Sequence, residues 1–132
     1  ILAFEVTKIT RGIKISVDTH FKGTYYKENK LHYAFEYLIS IENQSAELVQ
    51  LNSRYWVILD SLNDDEIVKG EGVIGKKPVL KPGDVHNYTS GCLLTSPYGA
   101  MYGYYRMINL NSAKKFNVII PTFKLSAPFA LN

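Results

Sequence analysis

An all-β chain, with seven to eight short strands packed as an antiparallel sandwich, is what the sequence predicts on three observations. Apolar residues recur at every second position through most of its length, clusters of turn-forming residues interrupt them, and no stretch of about eleven residues carries a clean helical period. The elements follow in order. In Gly12 to Asp18, Ile13, Ile15 and Val17 alternate with Lys14, Ser16 and Asp18, as in a strand with one dry face. Lys22 to Leu31 reads as a loop holding at most one turn. In His32 to Glu42, Tyr33, Phe35, Tyr37, Ile39 and Ile41 share a face, and Asn43-Gln44-Ser45 ends the strand as a turn. Leu48 to Asp60 places Val49, Leu51, Tyr55, Val57 and Leu59 in phase, with Asn52-Ser53 marking a bend or break.

Beyond the polar turn Ser61 to Asp65, Glu66 to Ile74 reads as a strand carrying two glycines. Lys81-Pro82-Gly83-Asp84 is a turn in which proline presets φ and glycine admits positive φ. Val85 to Ser90 is a strand, Gly91 to Ala100 irregular, Met101 to Leu110 a strand, and Lys115 to Ile120 the closing strand. Pro121 and Pro128 bracket an extended tail. Leu80-Lys81-Pro82-Gly83 followed by Tyr88 resembles the fibronectin type III corner, where a tyrosine hydroxyl ties back to the backbone.

Composition narrows the function classes. The chain has 132 residues and 46% apolar content, which suits one domain over 1–132 with its core from about Val6 to Pro128. Fifteen Lys and Arg are interspersed with twelve Asp and Glu for a net charge of +3, with no dense basic stripe, so no nucleic-acid partner is expected. No apolar run approaches the ~20 residues of a membrane-spanning helix, so no membrane insertion is expected either. Cys92, the single cysteine, excludes an internal disulfide. The opening Ile1-Leu2-Ala3-Phe4 reads as a trimmed start or a fragment and is too short for a signal peptide. These two features together make the cytoplasm the expected compartment.

Few residues offer chemistry. Gly70-Glu71-Gly72-Val73-Ile74-Gly75 spells G-x-G-x-x-G, but Pro78 and Pro82 forbid the helix that a dinucleotide site needs after it. Two readings stand: glycines that absorb tight strand geometry, or a backbone N–H nest for pyrophosphate or a dinucleoside polyphosphate, with Gly70, Gly72, Gly75, Lys76 and Lys77 as its residues. His20, His32 and His86 are scattered without metal-ligand spacing, so no metal site and no cofactor are expected. Asp64-Asp65-Glu66 lacks the ligand count of a calcium loop and reads as a solvated turn. Cys92 sits among apolar neighbours as an inert thiol, and no base, elbow motif or carboxylate pair accompanies it or Ser90 and Ser96, so no enzyme is expected. The aromatics say more. Tyr98, Tyr102, Tyr104 and Tyr105 crowd one segment; alternation puts Tyr102 and Tyr104 on one face and Tyr105 on the other. One face belongs to the core. The other is either a protein-binding platform of Tyr98, Tyr102, Tyr104 and Arg106, or is packed beneath the tail from Thr122 to Pro128.

The chain resembles the ApaG-domain family from about Val6 to Pro128. The resemblance rests on Thr10-Arg11-Gly12-Ile13, Ile41-Glu42-Asn43-Gln44-Ser45, Ser53-Arg54-Tyr55-Trp56, the glycine motif with Pro78, Leu80, Pro82 and Gly83, and Tyr88-Thr89-Ser90-Gly91-Cys92. Gly99-Ala100-Met101-Tyr102-Gly103 and Phe116 to Pro121 with Phe123 and Leu125 continue it. The resemblance implies a fibronectin type III-like, immunoglobulin-like sandwich and a small bacterial protein loosely associated with cobalt and magnesium efflux. It also implies an interaction module, as the same domain is taken to be in eukaryotic F-box and polymerase-interacting proteins. A phosphate site suggested for the family's glycine motif would map onto Gly70, Gly72 and Gly75. Lys76-Lys77 stands where many members are acidic, and Tyr55 replaces the histidine often found before the tryptophan. The expected function is a non-enzymatic module that binds a protein partner, with pyrophosphate binding at Gly70 to Lys77 as the alternative. Open sheet edges leave homodimerisation available.

Overall fold

The structure, a computed structural model, describes residues 5–128, so the opening Ile1 to Phe4 lies outside the described residues. Among the described residues nine strands form two antiparallel sheets: β1 (Glu5–Thr10), β2 (Ile13–Lys27), β3 (Lys30–Asn43), β4 (Val49–Asp60), β5 (Glu66–Glu71), β6 (Val79–Leu80), β7 (Val85–Leu94), β8 (Tyr98–Asn109) and β9 (Lys115–Ser126). One sheet runs β1-β2-β3-β7; the other runs β5-β4-β8-β9, with β6 paired to the start of β4. The sandwich is as expected, with β1 and the two-residue β6 added to the strands read from the sequence. Ile13, Ile15, Val17, Phe35, Tyr37, Ile39 and Ile41 from the first sheet meet Leu51, Trp56, Met101, Tyr105, Met107, Val118, Ile120 and Phe123 from the second, all at most 5% exposed. Removing that much apolar surface from water is the main force holding the sheets together.

Several boundaries differ from the sequence reading. Lys22 to Leu31 is a hairpin, not a loop: β2 and β3 pair as far as Lys27 and Lys30 across Glu28 and Asn29, both at positive φ in a two-residue turn. Asn52 is a bulge, and one extra residue reverses every face after it. Val49 and Leu51 point inward before it; after it Arg54, Trp56 and Ile58 do, and Tyr55, Val57 and Leu59 point outward. Gly91 to Ala100 is strand on both sides of a short turn at Thr95 to Pro97. The tail beyond Ile120 continues β9 through Pro121, which an edge strand accommodates beside a bulge opposite Tyr102.

The Tyr88 hydroxyl does not return to its own backbone as in the fibronectin corner. It hydrogen-bonds the hydroxyl of Tyr105 from the opposite sheet. The Pro82-Gly83 turn is tied instead by Asn43, which is fully buried. Its Nδ2 donates to the carbonyls of Glu47 (2.7 Å) and Leu80 (3.0 Å), and its Oδ1 accepts from Ser45 N (2.9 Å). Its own N–H donates to Asp84 O (2.9 Å), and its carbonyl accepts from Gly83 N (2.7 Å). Every polar group of this buried residue is thus paired.

Candidate functional site

The two sheets are stitched along one long side and open along the other. At the stitched side the Ile119 N–H donates to Thr10 Oγ1 (3.2 Å) and Arg11 lies 6.0 Å from the Phe116 ring centroid. At the other, the edge strands β5 and β7 stand apart around a cleft of about 820 Å³. Tyr37, Trp56, Tyr88 and Met101 floor it.

Arg54 occupies one end. Its partner across the β4–β5 ladder is Gly70, on the same inner face. A Cβ at Gly70 would stand 2.7–2.8 Å from the guanidinium, so glycine there makes room for the cation. Nη1 donates to the carbonyls of Glu71 (3.0 Å) and Gly72 (2.8 Å). Gly72 sits at φ +61, and a side chain on it would collide with the Lys76 carbonyl. Among the described residues no carboxylate stands within 4.0 Å of Arg54. Its charge faces Tyr37, Tyr88 and Tyr105, whose hydroxyls burial pushes above the ordinary tyrosine value; Arg54 opposes that rise.

The far end is acidic. Asp60 accepts from Ser96 Oγ (2.6 Å), Thr95 N (2.7 Å) and Thr95 Oγ1 (2.8 Å). Desolvation would raise its pKa, but these hydrogen bonds and one from Leu62 N outweigh it and hold the carboxyl below its usual range. Asp64 and Glu66 join it, with Lys27 and His32 from the β2–β3 hairpin also lining this cleft. Cys92 lies between the ends, its thiol pushed up to about 12 by burial first and then by Glu66 and Asp60. At neutral pH it is a protonated thiol, not a nucleophile.

The glycine motif is the rim of this cleft. Val73 and Lys76 exchange backbone hydrogen bonds (2.8 and 3.0 Å) across a tight turn at Ile74 and Gly75, and Gly72 N donates to Asn52 O (2.8 Å). The N–H groups of residues 72, 73 and 76 are therefore already engaged. Residues 76 to 84 contain no helix. Lys77 pairs with Glu71 at 3.1 Å, and Lys76 stands beside His86, whose pKa falls by desolvation and by that charge.

On the opposite, outer face of the β5-β4-β8-β9 sheet, Tyr55 and Tyr104 stack at 5.1 Å with Lys69 Nζ 5.6 Å from the Tyr55 centroid. Arg106 donates to Asn117 Oδ1 (3.2 Å), and Tyr102 is 41% exposed. The segment after Thr122 pairs alongside β8 as strand and does not cover this face. Tyr98 is exposed at the start of β8, six positions from Tyr104 and thus roughly 20 Å along the strand. The structure therefore groups Tyr102, Tyr104 and Arg106 and adds Tyr55 and Lys69, which the sequence reading did not place there. The three histidines stay apart: His20 meets Asp18 (3.2 Å), His32 Nδ1 meets Lys30 O (2.9 Å), and His86 packs on Tyr88.

A family model described as the ApaG domain matches residues 23–109. Protein ApaG of Brucella abortus (strain S19) is 42% identical over 120 residues, covering 91% of this chain and 92% of that protein. Protein ApaG of Beijerinckia indica subsp. indica is 43% identical over 122 residues, covering 92% and 93%. Among solved structures, the structural-genomics target SoR45 superposes with a TM-score of 0.83 at 35% identity, covering 89% of this chain and 88% of that one. The putative ApaA protein from Bordetella pertussis does so at 0.77 and 34%, covering 88% and 94%.

Proposed function

This chain belongs to the ApaG-domain family, and from that premise we propose that it is a non-enzymatic, cytoplasmic interaction module that binds a protein partner through the outer face of its β5-β4-β8-β9 sheet. The observation that carries the reading is the stacked Tyr55–Tyr104 pair, flanked by Lys69, Arg106 and the exposed Tyr102 on a face left uncovered by the rest of the described chain. Tyrosine and arginine are the residues that dominate binding energy at protein interfaces. Among the described residues no group of three or more His, Cys, Asp or Glu is placed to hold a metal ion, and no helix is long and apolar enough to cross a membrane. Any part it takes in cobalt or magnesium handling would, on this reading, run through its protein contacts.

Pyrophosphate binding at Gly70 to Lys77 is the second reading; Lys76 and Lys77 favour it, while the engaged N–H groups of the turn favour the first. The test is quantitative affinity purification from native lysate with the wild-type chain and with Tyr104→Ser/Arg106→Glu. One protein is expected to be retained by the wild type, through 500 mM salt, and lost with the variant. Retention that ignores the variant, or of nucleic acid in place of protein, would remove the reading.

A further inference from the structure

We propose that the β5/β7 cleft is a peptide-binding groove that takes the free C-terminus of an extended partner segment, with the terminal carboxylate on Arg54 and a basic side chain at the acidic end. Three independent features point to this occupant.

The first is the edge. Sheet edges expose unpaired N–H and C=O groups, and proteins blunt them with charges, proline, bulges or short length. Three of the four edge strands here are blunted: β1 by Glu5 and Lys8 over six residues, β5 by Glu66, Lys69 and Glu71, and β9 by Pro121, a bulge, Lys115 and Lys124. β7 has none of these. It runs ten residues without Asp, Glu, Lys, Arg or proline, in unbroken register with β3. Such an edge admits an added strand.

The second is charge. Among the described residues Arg54 is a half-buried cation that faces the cleft with no carboxylate within 4.0 Å; Glu71, which also lines this end, is paired with Lys77 at 3.1 Å. The Arg54 Nη1 is held by two carbonyls, which orients the guanidinium and leaves Nη2 for an anion. A planar guanidinium is suited to a carboxylate. Among the described residues lining the other end, Asp60, Asp64 and Glu66 outnumber the permanent cation Lys27 and call for positive charge.

The third is length and direction. Gly70, opposite Arg54, and Glu66 lie four residues apart on the inner face of β5, roughly 13 Å along the strand. A segment antiparallel to β7 enters at the acidic end and finishes at Tyr88 and Arg54. Its last residue and the fifth from the end then face the same way, so a Lys or Arg at that fifth position meets Glu66. The groove opens on the inner side of β5 and the tyrosine pair lies on its outer side; Arg54 and Glu71 border both, so the Tyr104 variant is what separates the two readings.

The experiment passes two pools of degenerate pentapeptides over the immobilised wild-type chain, one with free C-termini and one amidated, and sequences what is retained. The free-acid pool is expected to be held roughly tenfold better or more, the worth of one charge-assisted hydrogen bond, and to be enriched in Lys and Arg at the fifth position from the end. Arg54→Gln removes the acid-over-amide preference, while Tyr104→Ser keeps it; should Arg54→Gln fold poorly, the two-pool comparison on the wild type still decides. Equal retention of both pools, retention of neither, or a β7-to-β7 dimer that occupies the edge would overturn the proposal.

Discussion

The two long sides of this sandwich begin from the same materials and end differently. Along β1 and β9, a threonine hydroxyl and an arginine over a phenylalanine ring bridge the sheets. Along β5 and β7, Gly70 withholds a side chain, the room goes to a guanidinium, and the sheets part around an 820 Å³ cleft. Where side chains close the sandwich, the edge strands also carry charges, a proline and a bulge. Where the sandwich is open, the edge strand β7 is bare. On the open side only one of the two edges is bare: β5 carries Glu66, Lys69 and Glu71, while β7 carries no charge and no proline, so a guest strand has one edge to add to.

The largest effect should come from the rim of the open side. Gly72→Val forces a branched residue to positive φ and against the Lys76 carbonyl, for a loss of about 3 kcal/mol or more and a lower Tm. Gly75→Ala meets open space and should lose only about 1 kcal/mol from its positive φ. Equal melting of the two variants would show that the rim is not packed as described.

Alkali should reach the open side next. Tyr37, Tyr88, Tyr105 and Cys92 all have pKa values raised on folding, chiefly by burial. Their neutral forms support the fold fully below their unfolded values, about 8.5 for the thiol and 10 for the phenols, and that support is lost as pH rises above them. Melting followed from pH 8 to 11 should fall steeply above about pH 9 to 10. A flat profile would mean that these groups ionise in place.

The smallest effect belongs to the basic pair. Lys76→Ala/Lys77→Ala should leave stability within about 0.5 kcal/mol, since an exposed pair such as Lys77–Glu71 contributes little. Any pyrophosphate binding that calorimetry detects in the wild type should disappear in the double variant. Wild-type affinity there would discard the phosphate reading.

The sandwich was legible because alternation survives in single strands: Ile13, Ile15 and Val17 are buried as the period requires. The cleft was not, for a specific reason. Asn52-Ser53 reads as a bend or a break, but a one-residue bulge at Asn52 also reverses phase. Read without that reversal, Tyr55, Val57 and Leu59 fall on the core side and Arg54 on the wet side. Applied at Asn52, the reversal places Arg54 beside Trp56 and Ile58 and reveals an inward cation. β1 is not legible because its apolar residues, Val6 and Ile9, stand three apart and break the period of two, and the β2–β3 turn is not because Glu28-Asn29 takes positive φ without glycine. The Tyr88–Tyr105 tie joins residues from different sheets, so only the folded pairing discloses it.

Asn43 has a consequence for how the molecule opens. One buried amide joins the end of β3, the following turn, β6 and the Pro82-Gly83 bend, segments up to forty-one positions apart. None can fray alone without stranding a desolvated partner in another, so they should exchange their amide protons as one cooperative unit. One side chain thereby couples the opening of four segments of the sandwich, and Asn43→Ala should release all of them to exchange together.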